Sequence, residues 1–147
     1  MLDPIKGHAA LRRGRWSVVG ATYFLTLCTH QRQSGLSLKN LGAALLEHAL
    51  KMVDTWHLRT AVVMPDHLHL VAELHSTVDL ADAIRQFKGP LSVPLRKEDL
   101  KWQRGYYDHR LRKTENLLPI FLYVFLNPYR AGLVSTNQTW SNYYCAP

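Results

Sequence analysis

The chain has 147 residues, 47% of them apolar, which suits one domain with its own core and leaves little room for a second. No stretch approaches the roughly 20 apolar residues of a membrane span, and the first fifteen residues lack the apolar block of a secretory signal, so we expect a cytoplasmic protein. The isolated Cys28 and Cys145 argue against a disulfide framework or a cysteine-based zinc site, and the net charge of +7 makes a polyanion the natural partner.

The first half of the chain alternates between strand and helix patterns. Residues 1–19 are expected to form a basic arm that orders when it meets a partner. Residues 20–30, GATYFLTLCTH, are rich in β-branched and aromatic residues and predict a strand. Apolar residues recur at helical spacing over residues 37–56, with Ser37 as the expected N-cap.

A hairpin, a helix and a further strand follow. Residues 58–64 and 67–74 predict two strands that are separated only by a Pro-Asp pair typical of tight turns. A helix is predicted over at least residues 79–88, and Gly89 and the two prolines after it should interrupt it. Residues 102–112 predict another strand.

The resulting order, β-α-β-β-α-β, resembles the split βαβ arrangement of ferredoxin-like folds. We therefore predict an α+β fold, with an antiparallel sheet and two helices on one face, for a single domain over residues 1–147. Residues 115–134 add a C-terminal helix, which Pro128 should end at Asn127. Residues 135–147 are expected to be a tail.

Two histidines occupy alternate positions of the second hairpin strand, in the run VVMPDHLHLV. Because strand side chains alternate, His67 and His69 should share one face, about 7 Å apart, while Leu68, Leu70 and Ala72 take the other. Two imidazoles that face one point can hold a metal ion. An exposed pair that only meets water is the alternative on spacing alone.

The C-terminal helix carries a phenol and an amide one turn apart, at Tyr123 and Asn127. Alone, they read as a core tyrosine and a helix C-cap. With the histidine pair, they form a set for phosphoryl chemistry. A metal held by His67, His69 and the Asn127 oxygen would polarise a phosphate while the Tyr123 oxygen attacks phosphorus.

Two other tyrosines compete for the role of nucleophile. Tyr106 and Tyr107 also lie downstream of the histidine pair, in basic surroundings. Tyr123 is preferred because it has an amide one helical turn away. The adjacent tyrosines should point to opposite faces of a strand, as stacking or core residues.

Nearly all the excess positive charge lies between residues 85 and 113, a stretch that contains nine Lys and Arg residues but only three Asp and Glu residues. The aromatics Trp102, Tyr106 and Tyr107 fall within this stretch, and cations beside rings are the pattern that single-stranded nucleic acid favours. A solvated helix face is the alternative. The DNA-binding candidates, three of them in the N-terminal arm, are Arg12, Arg13, Arg15, Arg85, Lys88, Arg104, Arg110, Arg112 and Lys113.

Three motifs, VVMPDHLH, WQRGYYDHRLR and YVFLNPYRAGLV, together resemble the REP-associated tyrosine transposases, a branch of the single-tyrosine HUH transposases. The resemblance runs from about Thr22 to Val134. It implies that His67 and His69 are metal ligands, that Asn127 is the third ligand and that Tyr123 is the nucleophile.

The implied activity is cleavage and strand transfer on single-stranded DNA, at hairpins of repetitive extragenic palindromes, through a 5′-phosphotyrosine. The implied metal is Mg²⁺ or Mn²⁺, although imidazole by itself suits Zn²⁺, Cu²⁺ or Ni²⁺. A monomer is favoured over the helix-exchanged dimers of the wider family. Asp66 stands where many relatives carry Asn, and we expect it not to touch a ligand.

Two other functions remain open. A non-catalytic module that binds single-stranded nucleic acid could use the same fold, although no RNP-type run occurs on any strand. A hydrolase that uses water would need a carboxylate base, for which Asp66 and Glu73 are the nearby candidates, and Asp66 is out of phase with the histidines.

Overall fold

The computed structural model describes residues 20–75 and 77–147, so the predicted basic arm with Arg12, Arg13 and Arg15 lies outside the described residues. None of the helices in the described ranges is long and apolar enough to cross a membrane. The elements in chain order are β1 (Thr22–Cys28), a 3-10 turn (His30–Arg32), α1 (Lys39–Lys51), β2 (Trp56–Val63), β3 (His67–Leu74), α2 (Leu80–Lys97), β4 (Tyr107–Leu111), α3 (Leu118–Arg130) and β5 (Tyr143–Cys145).

The strands form one antiparallel sheet in the order β4-β1-β3-β2-β5. The first four strands have the predicted ferredoxin-like connectivity, and the α+β fold is confirmed. Alternation along the strands sends one set of side chains, including Leu68 and Leu70, into a core with α1 and α2. The other set, including Phe24 and Val71, packs with Val124 of α3. Both faces of the sheet are therefore covered.

Helix α2 runs through two prolines that were expected to interrupt it, and this prediction is wrong. Pro90 and Pro94 lie inside α2, which continues to Lys97. An interior proline costs about 3 kcal/mol because it frees the carbonyl four residues earlier. The carbonyl freed by Pro90 belongs to Gln86, and the ring nitrogen Nε2 of His48 lies 3.3 Å from it. The buried face that holds the helix together consists of Leu80, Ala83, Ile84, Phe87, Leu91 and Leu95.

Other helix boundaries also differ from the predictions. Leu38, not Ser37, is the N-cap of α1, and no side-chain hydrogen bond caps that end. Pro119 lies in the first turn of α3, where backbone N–H groups have no partner inside the helix, so the missing N–H of proline costs no hydrogen bond. Pro128 does not end α3 at Asn127, because the helix continues to Arg130 and Pro128 is a buried residue inside it.

The C-terminal segment is part of the fold rather than a tail. Strand β5 pairs with β2, and the Trp140 indole donates a hydrogen bond to the Val63 carbonyl at 2.9 Å. The Asn142 amide donates to the Ser37 carbonyl at 3.0 Å, which ties this segment to the approach of α1. Strand β5 has only three residues and pairs with β2 alone, so its alternation of side chains is too short to be recognised in the sequence.

Gly42 of α1 should be the position where this docking is most sensitive to substitution. A Cβ there would lie 2.7 Å from the Asn142 side chain, so Gly42→Ala should destabilise the fold by about 1–3 kcal/mol in urea unfolding. Gly89→Ala is the control, because a Cβ at Gly89 meets nothing within 4 Å apart from its chain neighbours. Its gain in helix propensity is offset by the crowding that Pro90 imposes on the preceding residue, so its stability should change by less than about 1 kcal/mol. An equal change in both variants would contradict the close packing at Gly42.

Candidate active site on the α3 face of the sheet

The two histidines of β3 point to the α3 face of the sheet, as predicted. Their ring centroids are 4.7 Å apart, and the β1 residues opposite them are Cys28 and Thr26. The His67 side chain is 13% exposed and His69 only 2%. A pair that merely meets water does not account for a histidine buried this deeply.

Tyr123 of α3 lies against the same histidines. Its ring makes edge contacts with His69 at 5.4 Å and with Phe24 at 6.0 Å between centroids, while Phe24 stacks on His69 at 5.1 Å. The guanidinium carbon of Arg130 lies 5.5 Å from the centre of the Tyr123 ring. The structure thus brings together His67, His69 and Tyr123, three of the four predicted site residues.

Asn127 is half-buried one helical turn after Tyr123. It lies inside α3, and Ala131 is the C-cap, so the alternative role of Asn127 as a side-chain cap does not apply. Its role as third metal ligand stays a prediction.

His69 is held as a neutral ring with one nitrogen bonded and the other free. The Thr26 hydroxyl lies 2.9 Å from Nδ1, whereas Nε2 is buried without a hydrogen-bond partner among the described residues. Burial, helped by the charges of His67 and Arg32, holds the pKa of His69 well below its usual 6.5, against the opposing effects of the Leu25 carbonyl and Asp66. A buried nitrogen with no partner is costly, which points to a ligand at this position.

His67 is fixed by a carboxylate that was expected not to touch it. Asp66 Oδ1 lies 2.7 Å from His67 Nδ1, and the Arg32 Nε donates to Asp66 Oδ2 at 2.9 Å. Burial would raise the pKa of Asp66, but the hydrogen bonds from His67 and Arg32 outweigh it and lower the value to about 2. The prediction failed because Asp66 lies in the turn before β3, where strand alternation does not set the side-chain direction.

These contacts fit a metal ion at the two Nε2 atoms. Metal-bound histidines usually donate the other ring N–H to a carboxylate or another oxygen, as Asp66 and Thr26 are placed to accept here. In the described part of the chain, no group of three or more His, Cys, Asp or Glu could hold a metal. A third protein ligand would therefore have to be another residue type, such as the predicted Asn127 amide.

The basic candidates divide into exposed side chains and one that is used internally. The Lys88 ammonium donates to the Gln103 carbonyl at 2.9 Å and the Gly105 carbonyl at 2.6 Å, so it holds the loop before β4. Arg85 is exposed and pairs with Asp82 at 2.6 Å. The remaining candidates in the described part of the chain are exposed and lie in or beside the edge strand β4: Arg104, Arg110, Arg112 and Lys113.

The aromatic residues of the basic stretch are partly buried rather than free for stacking. Trp102 and Tyr106 pack on the α1 and α2 side of the sheet, while Tyr107 packs on the α3 side. The two tyrosines thus point to opposite faces, as predicted. Tyr107 stands opposite Thr26, which stands opposite His69, so it shares a row with the histidine.

Sequence reasoning missed two residues of this site, Thr26 and Arg32. Thr26 pairs with a residue 43 positions away, and Arg32 reaches Asp66 across 34 positions. No local pattern marks either of them, because their roles depend on strand register and on the path of the loop after β1.

The known proteins that this chain resembles are transposases. The model of the family described as IS200-like transposase matches residues 17–116. A REP-associated tyrosine transposase of Escherichia coli (strain K12) is 25% identical over 130 residues, covering 86% of this chain and 77% of that protein.

Two solved structures are also similar. One, a REP-associated tyrosine transposase bound to a REP hairpin, has a TM-score of 0.67 and 26% identity, covering 82% of this chain and 73% of that chain. A Deinococcus radiodurans crystal structure, 17% identical, shares the fold with a TM-score of 0.52, covering 84% of this chain and 98% of that chain.

Proposed function

The chain belongs to the IS200-like transposase family, and on this premise we propose that it cleaves single-stranded DNA at palindromic hairpins and rejoins it through a 5′-phosphotyrosine. The observation that carries the proposal is the cluster of Tyr123 with His67 and His69. Both histidines have a partner at Nδ1, and the Nε2 atom of His69 is buried without a hydrogen-bond partner in the described ranges. A similar protein was solved bound to a REP hairpin, which supports a hairpin substrate here.

Each residue of the cluster has a place in the reaction. The Tyr123 oxygen bonds to phosphorus as the bond from phosphorus to the 3′-oxygen breaks, and the proton that the phenol loses is matched by the one that the 3′-oxygen gains. His67, His69 and Asn127 would hold Mg²⁺ or Mn²⁺, which when bound polarises the phosphate. The aryl phosphate keeps the energy of the broken bond, so a 3′-hydroxyl can reverse the attack without ATP.

Two competing functions lose support from the structure. A ferredoxin-like sheet that reads nucleic acid by stacking needs an open sheet face, but both faces are covered by helices here. A hydrolase needs a free carboxylate near the histidines, but Asp66 is bonded to His67 and Arg32. Glu73 lies four residues along β3 from His69, about 13 Å away.

The direct test is incubation with a single-stranded oligonucleotide that carries a palindromic hairpin and a label at its 3′ end, with Mg²⁺ or Mn²⁺. Because the tyrosine becomes linked to the 5′ end of the downstream fragment, the label should migrate with the protein on a denaturing gel. A control with EDTA should show no adduct. Cleavage without any adduct would indicate a water nucleophile and overturn the proposal. Action as a monomer, implied by the resemblance, stays a prediction.

The exposed basic residues beside β4 should contribute counterion release to DNA binding. Between about 50 and 200 mM salt, affinity for the hairpin should fall steeply, and Arg110→Gln with Arg112→Gln should make the slope of log affinity against log salt shallower by about 1–2. Lys51→Gln is the control, because Lys51 lies on α1 and pairs with Glu47. A slope that changes equally in both proteins would contradict an interface at β4.

A further inference from the structure

We propose that Arg32 is a positioning residue that acts through Asp66 on His67, so that the Nε2 atom of His67 is presented as a metal ligand. This inference rests on the proposed function for the identity of the ligand, a divalent cation. It gives the Arg32 and Asp66 pair a role in the site rather than in general stability.

The contacts form a chain from the loop after β1 to the histidine. Arg32 Nε donates to one oxygen of Asp66 at 2.9 Å, and the other oxygen lies 2.7 Å from His67 Nδ1. A contact this short to a carboxylate needs a proton between the atoms, so Nδ1 carries a proton, and in the neutral ring Nε2 then has the lone pair. Arg32 Nη2 also lies 3.3 Å from Nδ1, but a protonated Nδ1 cannot accept from it, so Arg32 acts through Asp66.

The backbone that delivers Arg32 is unusual. Gln31 and Arg32 have φ angles of 54° and 56°, a left-handed conformation that residues with a side chain rarely adopt, least of all twice in succession. Such conformations persist where the surrounding structure enforces them, often at functional sites. The surrounding bonds here join the loop to the turn before β3, because Thr29 N donates to the Asp66 carbonyl at 3.0 Å and Gly35 N to the Pro65 carbonyl at 2.8 Å.

A partly buried ion pair alone would not account for this arrangement. The side chains of Arg32 and Asp66 are still 35% and 27% exposed, and ion pairs that solvent reaches contribute little to stability. The strained loop instead yields a carboxylate with both oxygens engaged and one histidine held in a single tautomer. Partners of this kind are worth about 10- to 100-fold in metal affinity.

The variants separate the two steps of the chain. Asp66→Asn keeps an oxygen that can accept from His67 Nδ1 but loses the acceptor for Arg32, whereas Asp66→Ala loses both. We expect the affinity for Mn²⁺, measured by calorimetry, to fall about 10- to 100-fold in Asp66→Ala and less in Asp66→Asn. Arg32→Gln should weaken binding several-fold in the wild-type background and by less than about 2-fold in the Asp66→Ala background.

A second measurement needs no metal. Nitrogen-15 NMR of the metal-free protein at about pH 8.5 reports which ring nitrogen of His67 carries the proton. The proton should be on Nδ1 in the wild type, and Asp66→Ala should shift it toward a mixture. Arg32→Lys should preserve the wild-type tautomer better than Arg32→Gln, since Lys keeps a donor and the charge. A merely structural role would lower the melting temperature in every variant without moving tautomer or affinity.

The outcomes distinguish this inference from the proposed function. If the wild type binds Mn²⁺ and forms the adduct while neither tautomer nor affinity responds to Asp66 and Arg32, the positioning role is wrong and the function stands. If the tautomer responds as expected but the wild type binds no Mn²⁺, the positioning role is supported and the metal-dependent function is wrong. If Arg32→Gln lowers the affinity for Mn²⁺ equally in the wild-type and Asp66→Ala backgrounds, Arg32 does not act through Asp66.

Discussion

Tyr123→Phe should abolish the covalent protein–DNA adduct, by at least about 10³-fold, while the protein stays folded and still binds the hairpin and the metal. The substitution removes one oxygen and keeps the ring that packs on His69 and Phe24. The phenol oxygen forms no hydrogen bond within the described residues, so the free energy of unfolding should change by no more than about 0.5 kcal/mol. The adduct is read on a denaturing gel and the stability in urea.

Tyr107→Phe is the matched control. Tyr107 packs on the same face of the sheet and shares a row with His69 through Thr26. It therefore tests whether any tyrosine near the histidines supports chemistry, and it should retain cleavage, as should Tyr106→Phe. If Tyr107→Phe loses the adduct while Tyr123→Phe keeps it, the nucleophile has been misassigned.

The sequence was sufficient for the parts of the fold that repeat with a fixed period. Alternation along β3 placed His67 and His69 on one face and Leu68 and Leu70 on the other, because a buried strand leaves only one register that hides its apolar side chains. The pairing of Tyr123 with the histidines was predicted from the chemistry of the set and from the family resemblance, not from periodicity.

Contacts between distant segments could not be read from the sequence in the same way. The continuation of α2 through Pro90 depended on how much apolar surface the helix buries, which local rules do not weigh. Strand β5 depended on the free edge of β2. The contact of Arg32 with Asp66 depended on left-handed backbone conformations at Gln31 and Arg32, which the sequence does not predict because neither residue is glycine.

The burial of His69 has the most consequence for the design of experiments. Strand alternation predicts which face the two ligands share but not how deeply they are buried, and His69 is 2% exposed and stacked on Phe24. His69→Ala would leave a cavity and confuse a loss of chemistry with a loss of folding. A variant that fills the space is therefore needed to test the ligand role.

The double variant Thr26→Val with His69→Leu should be at least as stable as the wild type at neutral pH and inactive in cleavage. It replaces both members of a buried polar pair with apolar groups of similar size, and it removes a buried Nε2 that lacks a partner in the described part of the chain. Replacing both partners together is near neutral or stabilising, whereas removing one leaves the other unsatisfied. Urea unfolding in EDTA compares the folds without any contribution from metal.

The same variant should also lose a pH dependence of stability. Because burial holds the pKa of His69 well below its usual 6.5, the folded protein keeps the ring neutral while the unfolded chain takes up a proton as the pH falls below 6.5. The wild type should therefore lose about 1 kcal/mol from this group between about pH 7.5 and 5.5, and the double variant should not. His57→Gln, at an exposed position on β2, is the control and should keep the wild-type loss. An active double variant would exclude His69 as a ligand, and an unchanged pH profile would show that the ring is not held neutral by burial.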